Sequence, residues 1–240
     1  MKPFLNSYFP NSNPDFVLAK NNFAMQSNQM NPNWAEENLQ TIRTLMERSA
    51  VYRRALAPIM LFAGAVGVVA AMIGIIFHFN SPVAFTWLWP DTAMFAVVGA
   101  FLIARRQSIK DKEAFWSAPA RRVGLAMFPT WLAGIMVTEV FRLVATNDSQ
   151  LVWWLLPIWM VLYGLGLHGA SFFMPRGIRI FGWVFFLSGL AILVILAVKS
   201  SSSDLPPFVY AHYLIGAFFG GGHLAYGVYL YLTEKKNPVA

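Results

Sequence analysis

Long apolar runs separated by short polar turns occupy the chain from residue 56 onwards. A helix needs about 20 residues to cross a hydrocarbon core of about 30 Å. One run, 90–107, reaches that length only if Pro90 and Asp91 open the helix and two arginines snorkel at its other end. The pattern predicts an all-α fold, a polytopic membrane bundle of six transmembrane helices at 56–79, 90–107, 123–145, 151–174, 180–198 and 211–233.

The segment before the second run, "VAFTWLW", is aromatic and apolar but precedes Pro90. Indole rings favour the boundary between lipid and water because one edge is apolar and the N–H is polar. We therefore expect this segment to lie along the membrane interface, with Trp87 and Trp89 at headgroup level.

An amphipathic stretch, 33–55, precedes the first run. Asn33 can cap its helix, with Glu36 as the capping-box partner. The pattern predicts a cytoplasmic juxtamembrane helix that lies on the inner leaflet, docks on the bundle or meets a partner chain. Its candidate contact residues are Trp34, Leu39, Ile42, Leu45 and Met46.

The two ends of the chain are polar. Residues 1–32 are rich in asparagine and show no sustained period, so we expect this segment to be disordered. Residues 234–240 form a short tail after the last run.

Composition agrees with lipid as the surrounding solvent. Only 12% of the residues are charged and 57% are hydrophobic, whereas a soluble domain has about 25% charged residues. The chain has no cysteine, which excludes disulfides, thiolate metal sites and cysteine nucleophiles.

Basic residues indicate the orientation, because lysine and arginine are retained on the cytoplasmic side. Among the basic residues that flank the runs, only Lys199 lies on the predicted outer side. The pattern predicts a membrane protein with both termini in the cytoplasm and anionic headgroups, rather than nucleic acid, as its partner. The residues on the predicted inner side are Arg43, Arg48, Arg53, Arg54, Arg105, Arg106, Lys110, Lys112, Arg121, Arg122, Arg176, Arg179, Lys235 and Lys236.

Ionisable groups within the runs are candidates for function, because charge is costly in lipid. Glu139 and Arg142 are three residues apart and share a helix face. They form either an anion site or gate open to the outside, or a self-satisfied pair that fixes helix packing. His78 and His212 fall at the predicted outer boundary, where we expect them to be wetted.

His168 and His223 lie deeper, on different predicted helices. Two such imidazoles can ligate a b-type haem, which remains a weak alternative to the expectation of no cofactor. The depth of each ring can be counted from the start of its run, Leu151 or Ala211, at about 1.5 Å per residue. The two rings then differ in depth by about 7 Å, which disfavours a haem shared between them.

Small residues favour a packing role for the histidine at 223. Helices in lipid associate through small residues that permit close approach. Gly216 and Gly220 form such a step, and Gly164 and Gly166 lie near His168. With Ala63, Gly67, Ala71 and Gly74 of the first run, they predict close contact among the first, fourth and sixth helices, with His223 as an interhelical hydrogen bonder.

Motifs for hydrolysis, phosphoryl transfer, dinucleotide binding or carboxylate metal sites do not occur in the sequence. Catalysis is therefore disfavoured, and we expect an accessory, regulatory or assembly subunit, with a possible protein partner or homo-oligomer. Two alternatives stay open: a small permease with Glu139, Arg142, His168 and His223 along a polar path, and a haem- or quinone-binding redox subunit.

Three segments, "ENLQTIRTLMERSAVYRR", "LLPIWMVLYGLGLHG" and "FFGGGHLAYGVYLYL", carry a resemblance. In this order the chain resembles a family of uncharacterised bacterial multi-pass inner-membrane proteins. The resemblance implies a cytoplasmic-membrane location and transfers no functional residue.

Overall fold

The computed structural model describes residues 32–110, 112, 115–116, 118–144, 149–200 and 206–236. These parts are helical and contain no strand. The chain divides into two units, 1–48 and 49–240, and each is described by itself. The predicted disordered segment, apart from its last residue, and most of the predicted C-terminal tail lie outside the described residues.

Eight α-helices, one 3₁₀ turn and one π turn follow one another in the described residues. They are α1 (Pro32–Ile76), α2 (Pro82–Lys110), α3 (Ala118–Val144), α4 (Ser149–Val152), α5 (Leu155–Ala170), the 3₁₀ turn Ser171–Phe173, α6 (Arg176–Ser200), α7 (Val209–Ile215), the π turn Gly216–Gly221 and α8 (Gly222–Lys236).

Five helical stretches in the described residues are long and apolar enough to cross a membrane. This set of helices is compatible with a multi-pass membrane protein. The predicted sixth run, 211–233, is also helical, but it is divided among α7, the π turn and α8. The five stretches are Ala55–Ile76, Pro82–Lys110, Ala120–Val144, Leu155–Phe173 and Arg176–Lys199.

Helix α2 begins eight residues before the position that the sequence predicts. Ser81 Oγ accepts a hydrogen bond from the Ala84 N–H at 3.1 Å, and Pro82 occupies the first turn, where its missing N–H costs nothing. The prediction that Pro90 opens this helix is wrong, because Pro90 lies inside it. The "VAFTWLW" segment is consequently part of α2 and not a separate interfacial stretch.

Helix α1 runs from Pro32, so Asn33 lies within the first turn rather than before it. The helix ends at Ile76, three residues before the predicted end of the first run. His78 adopts a positive φ of 52°, and the Phe79 N–H bonds back to the Gly74 carbonyl at 2.9 Å. This backbone pattern is a Schellman motif with histidine in the place that glycine usually takes.

Glycines bring two sets of helices into close contact. A Cβ at Gly67 of α1 would lie 2.9 Å from the Gly220 Cα in the π turn. A Cβ at Gly164 of α5 would lie 2.5 Å from the Phe186 N in α6, and Gly166 faces Met127 and Thr130 of α3. Gly216 and Gly220 of the predicted sixth helix therefore face the first helix, whereas Gly164 and Gly166 of the fourth face α6 and α3 instead.

Candidate functional site

A buried hydrogen-bonded chain connects α5 with α8. The Tyr163 hydroxyl lies 2.6 Å from His223 Nε2, and His223 Nδ1 lies 2.6 Å from the Phe219 carbonyl oxygen. A carbonyl only accepts, so Nδ1 carries the proton, and in the neutral ring Nε2 accepts from the Tyr163 hydroxyl. Both ring nitrogens are therefore engaged, and neither can ligate iron without breaking one of these bonds.

Aromatic rings surround the histidine of this chain, which is 1% exposed. The centroid of the His223 ring lies 4.6 Å from that of Phe219, 5.0 Å from Phe181 and 5.7 Å from Phe185. An imidazole in such surroundings must have its polar atoms bonded, because an unpaired buried group costs about 1–3 kcal/mol. The ring therefore contributes to stability only as long as both partners are present.

The π turn Gly216–Gly221 immediately precedes Gly222 and His223. The Gly222 N–H bonds to the carbonyl of Ala217, five residues back, as well as to nearer ones. A π turn widens the helix by one residue and often marks a functional position. The glycine-rich sequence signalled close packing, but no pattern in it predicted the wider turn.

A second buried chain joins α2, α7 and the turn after α1. Trp89 Nε1 donates to His212 Nδ1 at 3.2 Å, and His212 Nε2, which then carries the proton, donates to the Phe79 carbonyl at 2.9 Å. His212 is 0% exposed, so the prediction of a wetted interface residue is wrong. The exposed histidine of the two is His78, in the turn after α1.

Phe85 is the centre of an aromatic cluster around this second chain. Its ring lies 4.9 Å from Phe208, 5.4 Å from His212 and 5.8 Å from Trp159, centroid to centroid. Edge and stacked contacts of this kind add about 0.5–1.5 kcal/mol per pair beyond area burial. Sequence reasoning missed the cluster because its members are distant in sequence, although the aromatic residues of "VAFTWLW" were a visible signal.

Arg142 connects α3 to α2. Its Nη1 forms an ion pair with Glu139, and its Nη2 donates to the Thr86 carbonyl at 2.6 Å. The guanidinium carbon also lies 3.9 Å from the centroid of the Trp87 ring. Glu139 and Arg142 therefore do pair on one face of α3, and the arginine additionally reaches a neighbouring helix.

The position of Pro90 explains why the Thr86 carbonyl needs this partner. In an α-helix, the carbonyl of residue 86 accepts from the N–H of residue 90, and proline has no N–H. Arg142 supplies the missing donor from outside the helix. Such replacement bonds allow proline inside membrane helices.

Thr138 forms a further bridge, between α3 and α5. Trp159 Nε1 donates to Thr138 Oγ1 at 3.0 Å, and that hydroxyl donates to the Gly134 carbonyl at 2.7 Å. Neither side chain was predictable from the sequence, because a lone threonine in an apolar run carries no recognisable signal.

His168 lies apart from the other candidates. Its ring contacts Trp183 at 5.3 Å and Phe172 at 6.0 Å between centroids, and its buried Nδ1 has no hydrogen-bond partner. In the described residues, His168, His223 and the Glu139–Arg142 pair share no hydrogen bond, ion pair or ring contact with one another. The four predicted polar residues therefore occupy three separate environments.

The predicted contact residues of the amphipathic segment are only partly described. Leu39 is 65% exposed. The side chains of Trp34, Ile42, Leu45 and Met46 lie outside the described residues.

In the described parts of the chain, no group of three His, Asp or Glu side chains converges in a way that could hold a metal ion. Comparison with protein-family models, with curated proteins and with solved structures finds no match. The resemblance to a bacterial membrane family therefore stays a prediction. What the geometry itself offers is a set of hydrogen bonds, four of which join side chains of one helix to another helix.

Proposed function

We propose that this chain is a six-span protein of the bacterial inner membrane that acts without catalysis, as an accessory, regulatory or assembly subunit. Its intramembrane polar groups would hold the bundle together, and its cytoplasmic helical segment would contact a partner. The segment proposed for that contact is the part of α1 before residue 49, called here the N-terminal segment (residues 32–48).

The count of six includes the stretch from Val209 to Lys236. The π turn divides this stretch, but α7, the π turn and α8 follow one another without a gap. At about 1.5 Å per residue this stretch is on the order of 40 Å long, enough to cross the bilayer. Six spans would place both termini on the same side, as the distribution of basic residues predicts.

The observation that carries the non-catalytic part of the proposal is how the buried polar side chains are used. His223, His212 and Thr138 each bond both to a side chain on another helix and to a backbone carbonyl. Groups that are paired in this way have their hydrogen-bonding atoms occupied by the protein itself, which favours helix packing over substrate binding. Their arrangement supports a structural role over a shared polar path.

Photocrosslinking tests the partner part of the proposal. A photoreactive residue placed at Leu39 in intact cells should give a crosslinked band of discrete mass, because this side chain is exposed in the N-terminal segment. The matched control is the same residue at Val144, an exposed apolar position at the end of α3. Adducts with lipid alone at both positions would contradict a protein partner.

A further inference from the structure

Two arginines lie over two neighbouring aromatic rings where α5 ends. The guanidinium carbon of Arg179 lies 5.5 Å from the Phe172 ring centroid, and that of Arg122 lies 5.8 Å from the Phe173 centroid. Both rings are exposed, Phe172 by 69% and Phe173 by 43%. The starts of α3 and α6 thus each place one guanidinium at the same 3₁₀ turn.

Ser171 fixes one of these arginines. Its hydroxyl donates to the His168 carbonyl at 2.6 Å, and Arg179 Nε donates a long hydrogen bond of 3.4 Å to the Ser171 hydroxyl oxygen. Stacking on an aromatic ring uses the face of the guanidinium and leaves its edge N–H groups available. The two side chains are therefore held in place while most of their donors stay uncommitted.

No acidic side chain in the described part of the chain pairs with these two arginines. Within the described residues, neither Arg122 nor Arg179 forms an ion pair, and the ion pair that the structure gives is the one between Glu139 and Arg142. Arg121 and Arg176, also exposed, add two more positive charges at the starts of the same two helices. A helix start is itself electropositive, so cations there repel the helix dipole unless an anion compensates them.

We propose that Arg122 and Arg179 bind the phosphate of an anionic phospholipid, with its acyl chains lying along Phe172 and Phe173. This inference rests on the proposed membrane placement, in which these helix ends lie at the cytoplasmic surface. Guanidinium groups bind phosphate oxygens through paired N–H donors. Exposed phenyl rings directly beside the cations suit a ligand that is anionic at one end and apolar at the other, which a free phosphate is not.

Native mass spectrometry of the full chain from mixed micelles tests the site. The micelles contain phosphatidylglycerol and phosphatidylcholine in equal amounts, and the readout is the ratio of the two lipids retained. We expect the Arg122→Gln/Arg179→Gln variant to lose phosphatidylglycerol preference by about tenfold, since it removes the paired, charge-assisted N–H donors that would hold the phosphate.

The matched control is Arg105→Gln/Arg106→Gln, which removes the same charge from exposed positions near the end of α2. This control should retain the preference of the unmodified chain. Equal losses in both double variants would overturn the proposal, because they would indicate general charge attraction. Displacement of the retained lipid by millimolar inorganic phosphate would also overturn it.

A conservative variant keeps the proposal testable if the double variant fails to fold. Arg179→Lys retains the charge but loses the planar stack on Phe172 and the paired N–H donors. Its preference should fall by about threefold; an unchanged ratio would contradict a geometric site. Because this readout does not depend on which way the protein faces, failure of the site and failure of the proposed orientation can be distinguished.

Discussion

At the residue scale, the stability of the bundle depends on polar side chains that have no access to water. Tyr163 and His223 are one such pair. The Phe219 carbonyl only accepts a hydrogen bond, so His223 Nδ1 carries the ring proton and Nε2 accepts from the Tyr163 hydroxyl. Each side chain of such a pair stabilises the fold only while its hydrogen-bond partner is present. Removing its partner is worse than removing both members of the pair.

Tyr163→Phe should therefore lower the free energy of unfolding by about 1–3 kcal/mol, since it leaves His223 Nε2 buried without a donor. The double variant Tyr163→Phe/His223→Phe should lose clearly less than the sum of the two single variants. Unfolding of the four proteins in a detergent titration measures this. Strict additivity would show that the bond contributes nothing to stability.

Sequence reasoning reached some of these residues and not others, for a physical reason. Glu139 and Arg142 were predictable as a pair because a spacing of three fixes their relative position on one helix. The bond between Trp89 and His212 was not predictable, because it depends on how two distant helices pack. His212 was consequently assigned to water when it is fully buried.

At the scale of helices, α2 and α3 are coupled because α2 lacks one backbone hydrogen-bond donor. Pro90 removes the donor that the Thr86 carbonyl would use, and Arg142 of α3 replaces it. The sequence showed the proline but not its consequence. A proline near the start of an apolar run fits the opening of a helix equally well, and only the cap at Ser81 decides between the two.

Arg142→Gln should cost about 2 kcal/mol of unfolding free energy, because it removes a charged donor from a buried carbonyl. In a Pro90→Ala background the same substitution should cost distinctly less, since residue 90 then supplies the missing N–H itself. A double-mutant cycle in detergent gives the coupling energy. Equal costs in both backgrounds would mean that Arg142 does not act through the Thr86 carbonyl.

At the scale of the whole molecule, the lengths of the apolar runs were the most informative part of the sequence. Five of them correspond to helices long enough to cross a membrane, because the bilayer imposes length and composition directly on each run. Which helices touch could not be predicted in the same way. The glycines of α5, for instance, were expected to lie in a contact with the first and sixth helices, but Gly164 lies against α6 and Gly166 against α3.

The chain has no cysteine, so single cysteines can report orientation without background. Lys112→Cys, in the turn after α2, should be protected from a membrane-impermeant maleimide in intact cells. Asn80→Cys, in the turn between α1 and α2, should be labelled. Both positions are exposed, and both should react after the membrane is permeabilised. The reverse pattern in intact cells would overturn the proposed orientation.

The bond from Arg142 to the Thr86 carbonyl also bears on biogenesis. A ribosome completes residue 90 long before residue 142, so the newly made second helix carries an unfilled carbonyl until the third helix arrives. Exposing this unpaired carbonyl to acyl chains during that interval would cost free energy. The two helices are therefore expected to leave the insertion machinery together, as a hairpin, rather than one after the other.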